Sequence, residues 1–145
     1  MHLLFDEIQE AVSVPVLHVA DAAGEAIVGN GVKSVLLLGT KYTMAKPFYA
    51  NRLREKFDLE VLVPTPEEQE IIHGIIYSEL VRGIINPNSH ATYLEICSKY
   101  IARGVAGIIA GCTEIELLIK QDDFEIPLFA TASLHAMAAV KYALV

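Results

Sequence analysis

Apolar residues recur along the chain with two periods, and the alternation between them predicts its elements. Within residues 3–12, Leu4, Ile8, Ala11 and Val12 keep helical spacing, and Pro15 closes the segment because the residue before a proline avoids the helical region. Residues 14–20 (VPVLHVA) predict a strand, with Asp21 as the N-cap of a helix reaching the Gly29-Asn30-Gly31 breaker. Residues 33–38 (KSVLLL) predict the clearest strand, and a helix follows from Thr43 through Phe48, Leu53 and Phe57, with Pro47 in its first turn. Residues 59–63 predict another strand. Thr65, Pro66 and Glu68 then form a capping box for a helix that buries Ile71, Ile72, Ile75, Ile76 and Leu80 and stops by Gly83. Asn86-Pro87-Asn88-Ser89 caps a further helix, whose stripe of Tyr93, Ile96, Cys97, Tyr100 and Ile101 closes at Gly104. Residues 108–111 predict a strand with no polar face, and Thr113, Glu114, Ile115 and Leu118 open a helix directly after it. Residues 121–123 predict a solvated turn and residues 126–130 a last strand. Thr131 or Ser133 caps a final helix through Val145, whose Leu134, Met137, Ala138 and Val140 are expected to pack against protein.

Strands alternating with helices predict an α/β fold, a parallel sheet flanked by helices with right-handed connections. The length of 145 residues suits one core. Composition adds a second possibility. A hydrophobic content of 53% with mean hydropathy +0.41 fits a sheet covered on both faces, or a chain burying apolar surface against something outside it. The net charge of −7 and pI near 5.1 exclude nucleic acid and anionic membrane as expected partners, since both need clustered Lys and Arg. Two cysteines without a Cys-x-x-C or His/Cys cluster fit a reducing compartment and predict no metal. The N-terminus lacks a basic region and no apolar run is long enough to span a bilayer, so the expected location is cytoplasmic.

Candidate chemistry concentrates where strands end, since ligands of parallel sheets bind at the carboxyl edges. The strand over residues 108–111 runs into Cys112 and then into a predicted helix start, whose amide dipoles stabilise a thiolate. The strand over residues 33–38 runs into Gly39, which lets the chain turn, and then into Thr40 and Thr43. Their hydroxyls either hold a carboxylate, or Thr43 is simply the N-cap of the next helix. His18 and Cys97 lie within apolar patterns and read as core residues.

Three stretches resemble the aspartate/glutamate racemase family: IIAGCTEI at residues 108–115, LLGTKYTM at residues 37–44, and PLFAT at residues 127–131 with His135. The resemblance implies a cofactor-independent amino-acid racemase in which two α/β lobes offer one cysteine each to opposite faces of the substrate's α-carbon. Cys112 matches the second cysteine. Thr113, Thr40 and Thr43 then bind the substrate, and Glu114 either tunes the thiol or caps the helix, with tuning favoured. The family's first cysteine sits in a Cys-Asn-Thr-Met-His motif. Since this chain opens Met1-His2, the resemblance implies that it lacks roughly the first third of the family's chain and is inactive alone.

On that reading residues 1–20 are a helix and strand remnant of the first lobe, residues 21–128 form the second lobe, and residues 129–145 return to the first. The implied partner is a small amino-acid substrate, and a homodimer is compatible with the resemblance. Two departures stand out. Ile71 occupies the position where members acting on acidic amino acids carry a lysine, which argues against aspartate or glutamate, and Ala130 replaces an aspartate before the last helix. Competing readings are a one-cysteine decarboxylase or isomerase of the same superfamily, against which Cys-Thr-Glu argues, and a non-catalytic remnant or binding module.

Overall fold

Pure aliphatic runs such as Val35-Leu36-Leu37-Leu38 have no polar face to give to water, so they form strands buried on both sides. The computed structural model describes residues 4–144, so readings that fall on Met1, His2, Leu3 and Val145 lie outside the described residues. Strands β1 (Ser34–Leu38), β2 (Glu60–Leu62), β3 (Ile108–Ala110) and β4 (Leu128–Ala130) form one parallel sheet in the order β2-β1-β3-β4. Leu36 lies opposite Leu62 and Ile108, and Ile108 lies opposite Leu128. The alternation of side chains divides the core in two. Leu36, Leu38, Ile108 and Ala110 face a layer made by Ile72 and Ile76 of α5 (Pro66–Ser78) and Tyr93, Ile96, Cys97 and Tyr100 of α6 (Pro87–Ile101). Val35, Leu37, Ile109 and Phe129 face α2 (Val19–Gly29) and α4 (Pro47–Phe57), through Ala20, Ala23, Ile27, Ala50 and Leu53. The α/β fold with a parallel sheet flanked by helices is therefore as expected.

Several local signals act as the residue types require. Thr65 and Glu68 make the full capping box, with Pro66 at the first helical position. Glu68 also accepts from the Tyr100 hydroxyl at 2.8 Å and from Lys99, which ties the start of α5 to the end of α6. Asn86 caps α6 by accepting from the Asn88 amide. Gly83 and Gly104 take φ values of 72° and 97°, the left-handed turn that ends a helical segment at low cost for glycine. Cys97 is fully buried, as its place in the stripe predicts.

Other expectations are corrected. After α1 (Phe5–Ala11), residues 14–20 form no strand. The side chain of Gln9 instead occupies the Val16 amide and the Val14 carbonyl, and His135 occupies the Leu17 carbonyl at 2.9 Å, so these backbone groups have no ladder to join. His18 is buried, as read, but it caps α2: its Nδ1 accepts from the Ala20 amide at 3.0 Å. Asp21 is not the cap. It lies in the first turn and holds Arg52 and Lys56 of α4; although burial pushes its carboxyl up, the hydrogen bonds from those two cations bring it down to about 2.

The single helix expected from Thr43 is two, α3 (Lys41–Ala45) and α4, broken at Lys46 because Pro47 restarts the helix at its first position. Ile71 is exposed on α5 rather than buried. The last helix, α8 (Thr131–Ala143), has no side-chain cap from Thr131 or Ser133; Ala130 stands at the N-cap and offers none. Helix α8 packs along α2, yet Met137, Val140 and Tyr142 are 65%, 50% and 59% exposed, so its apolar face is only half used within this chain.

Candidate functional site

The chain leaves β1, passes through α3 and α4 to β2 on one side, then crosses to β3 on the other. Strand order therefore reverses between β1 and β3, and such a switch point opens a crevice at the carboxyl ends of the two strands. The segments leaving those strands are Gly39-Thr40-Lys41-Tyr42-Thr43 and Gly111-Cys112-Thr113-Glu114.

They are held against each other by close backbone packing. The Gly111 amide donates to the Leu38 carbonyl at 2.8 Å. A Cβ on Gly111 would lie 2.6 Å from that same oxygen and 3.5 Å from Cγ2 of Thr43, and a Cβ on Gly39 would lie 2.9 Å from the Thr43 side chain. Gly111 thus brings the β3 exit onto the β1 exit, and Gly39 lets Thr43 fold back over its own segment. Thr40 caps α3, its Oγ1 lying 3.4 Å from the Thr43 amide and 3.2 Å from the Thr43 hydroxyl. The capping role falls to Thr40, and Thr43 sits one turn inside.

Cys112 is half-buried. Its thiol donates to Oε2 of Glu114 at 2.8 Å, and the same oxygen accepts from the Thr113 hydroxyl at 2.8 Å. The expected helix start beside Cys112 is corrected. Residues 112–114 form a tight turn closed by the Ile115 amide on the Cys112 carbonyl, and α7 (Ile115–Leu118) is a single turn beginning after it. One turn supplies little dipole, and the near carboxylate acts in the opposite sense. Burial first, and then the hydrogen bond to Glu114, push the Cys112 thiol up to about 12, while the thiol and the Thr113 hydroxyl hold the Glu114 carboxyl below its usual range. The resting form is a protonated thiol beside an ionised carboxylate.

This has a direct consequence for thiol chemistry. A raised pKa leaves only a small thiolate fraction at neutral pH, and that fraction grows with pH until the pKa is reached. Alkylation of Cys112 by iodoacetamide is expected to speed up about tenfold per pH unit from about pH 6 to pH 9 without levelling. Cys112 is expected to react ahead of Cys97, which burial also pushes up to about 12 but which is closed to solvent. A plateau below pH 9 would contradict the protonated resting state.

Two side chains that sequence reasoning passed over belong to this edge. His73 of α5 accepts from the Lys41 amide at 3.3 Å, and Lys41 pairs with Glu70. Lys41 and His73 border a small cavity of about 270 Å³ with Tyr42, Ala45 and Lys46. Glu116 of α7 accepts from the Ala132 amide at 3.1 Å. The only sequence signal for either was a polar residue interrupting an apolar helix face. Larger grooves, of about 540 and 480 Å³, run along α2 and α8 past Leu17, Ala138 and Tyr142, away from these two exits.

Comparison with known proteins agrees with this fold. Residues 1–139 match the Asp/Glu/Hydantoin racemase family. The broad specificity amino-acid racemase RacX of Bacillus subtilis (strain 168) is 26% identical over 96% of this chain and 59% of its own length. A crystal structure assigned as an Asp/Glu racemase from Yersinia pestis superposes with a TM-score of 0.95 at 45% identity, over 100% of this chain and 63% of that one. An aspartate racemase homologue from Pyrococcus horikoshii OT3 gives a TM-score of 0.91 at 41% identity, over 99% of this chain and 63% of that one. The chain thus spans about three fifths of the length of these relatives. With a match along nearly its whole length and the same parallel sheet, this chain belongs to the Asp/Glu/Hydantoin racemase family.

Proposed function

We propose that the chain carries one side of the proton-transfer site of a cofactor-independent amino-acid racemase, with Cys112 as one acid/base. The observation that carries this reading is a half-buried thiol on a carboxylate at the switch-point crevice, with the Thr40 and Thr43 hydroxyls on the adjoining exit. Racemisation removes a weakly acidic α-proton from one face and returns a proton to the other. Without pyridoxal phosphate this needs two groups of suitable pKa across the substrate. Cys112 rests as the thiol and is the proton donor to the carbanion; in the reverse direction its thiolate takes the proton back. Thr113, Thr40 and Thr43 bind the α-carboxylate and spread the developing charge. Glu114 tunes the thiol, keeping the proton on sulfur until substrate arrives.

The second proton carrier comes from outside these 145 residues. Two facts support this: the solved relatives are longer than the chain, and half of the apolar face of α8 is uncovered. On this division residues 21–128 are the cysteine-bearing lobe, and residues 1–20 and 129–145 pack on the other. The substrate is a free amino acid; Ile71 gives no cation for a distal carboxylate, which argues against aspartate or glutamate, and the relative from Bacillus subtilis is named for broad specificity.

The test uses the protein encoded by the whole reading frame. Each enantiomer of a panel of free amino acids is incubated with it in D2O. Deuterium at the α-carbon with loss of optical activity is expected. Release of carbon dioxide without racemisation would assign the decarboxylase instead, and no α-exchange with any member of the panel would leave a binding module.

A further inference from the structure

We infer that Glu116, together with Thr131, is a positioning residue that fastens the Cys112 turn to the first turn of α8. The inference rests on the reading of Cys112 as a proton carrier and adds how that thiol is held in place.

Helix α8 begins without a side-chain cap, since Ala130 occupies the N-cap. Its first two residues are held from elsewhere. The Thr131 hydroxyl, buried at 4% exposure, donates at 2.7 Å to the carbonyl of Ala110, the last residue of β3 and two positions before Cys112. The Ala132 amide donates at 3.1 Å to Oε1 of Glu116, four positions after Cys112. Both ties flank the turn, one before it and one after it. An amide at a helix start has no intrahelical partner, so the carboxylate of Glu116 supplies the acceptor that Ala130 cannot. Helix α7, which carries Glu116, is a single turn and has few bonds of its own to resist a shift. Glu114, two residues earlier, is the group on the thiol.

Glu116 therefore acts through Glu114 on Cys112. When its bond to Ala132 is lost, the turn relaxes, the carboxylate leaves the thiol and the thiol ionises more readily. The negative charge of Glu116 itself also bears on Cys112, so charge and position must be separated. Glu116→Gln keeps an oxygen for the Ala132 amide and removes only the charge, whereas Glu116→Ala removes both.

The experiment measures iodoacetamide labelling of Cys112 in the intact chain from about pH 6 to pH 9, with mass spectrometry to locate the label and thermal unfolding alongside. Labelling reads the thiol whether or not the protein racemises anything, so failure here is distinct from failure of the racemase reading. Glu116→Ala is expected to label about tenfold faster than wild type at pH 8, and Glu116→Gln to stay within about threefold of it. Equal acceleration in both variants would reduce Glu116 to a charge. A fall in melting temperature with an unchanged labelling profile would reduce it to a helix cap. Should Glu116→Ala not fold, Thr131→Val removes the other tie: labelling accelerated by about tenfold supports the clamp, and an unchanged profile overturns it.

Discussion

Gly111→Ala is expected to destabilise the protein by about 2–3 kcal/mol, a fall in melting temperature of about 5–10 °C. The new methyl carbon would sit 2.6 Å from the Leu38 carbonyl oxygen. That oxygen cannot step aside, because it belongs to the backbone of the central strand and accepts the amide of Gly111 itself at 2.8 Å. Relief must come from pushing the β3 exit away from β1, which also pulls Cys112 away from Thr43. The variant is therefore expected to alter Cys112 labelling as well as stability. Gly74→Ala is the matched control. Gly74 lies in the middle of α5 with nothing within 4 Å of the added methyl, so alanine there stabilises the helix by about 0.5–1 kcal/mol. Thermal unfolding of the two variants checks both signs, and a Gly111→Ala protein as stable as wild type would show that the two exits do not meet as described.

What the sequence made legible was whatever a local pattern determines. The run Val35–Leu38 has no polar alternative to a doubly covered strand, and Thr65-Pro66-x-Glu68 carries both halves of its capping box in four residues. What it hid depends on partners far along the chain. Residues 14–20 have strand composition, but Gln9 and His135 take their backbone groups, and His135 is 118 residues away from Leu17. Ile71 fits the helical period yet falls outside the buried arc, because the arc is set by where α6 and the sheet lie.

The candidate site divides in the same way. The position of Cys112 at a strand end was readable, since an all-apolar strand followed by a turn gives it away. Its acid strength was not. A helix start next to a thiol suggests a lowered pKa, but the helix is one turn long and begins too late, and the nearest charge is the carboxylate of Glu114. Whether an acidic neighbour touches a thiol or points away is decided by a side-chain torsion, which no spacing rule records. Gly111 likewise looked like an ordinary strand end, and only the sheet shows the carbonyl it must clear.

Cys112→Ser is expected to reduce racemisation by the whole enzyme by about 10³-fold, within the range by which a positioned general acid or base accelerates proton transfer. Serine keeps the shape and the hydrogen bond to Glu114 but does not ionise in the working range, so it cannot take the α-proton back once given. Because the residue is half-buried and the substitution nearly isosteric, the change in stability should stay below about 1 kcal/mol, separating loss of chemistry from loss of fold. The raised thiol adds a directional expectation. On the proposed two-carrier reading the carriers share one proton, and burial together with Glu114 keeps it on Cys112. The enantiomer whose α-hydrogen faces the other carrier then reacts from the resting form, while its mirror image must wait for the proton to move. Since the equilibrium constant of racemisation is unity, kcat/KM is the same in both directions, so this asymmetry is expected in kcat and KM separately. Glu114→Gln removes the charge that holds the proton on sulfur and should narrow the difference in kcat between enantiomers. Polarimetry from each enantiomer measures all of these rates. A Cys112→Ser enzyme that racemises within about tenfold of wild type would remove Cys112 from the chemistry.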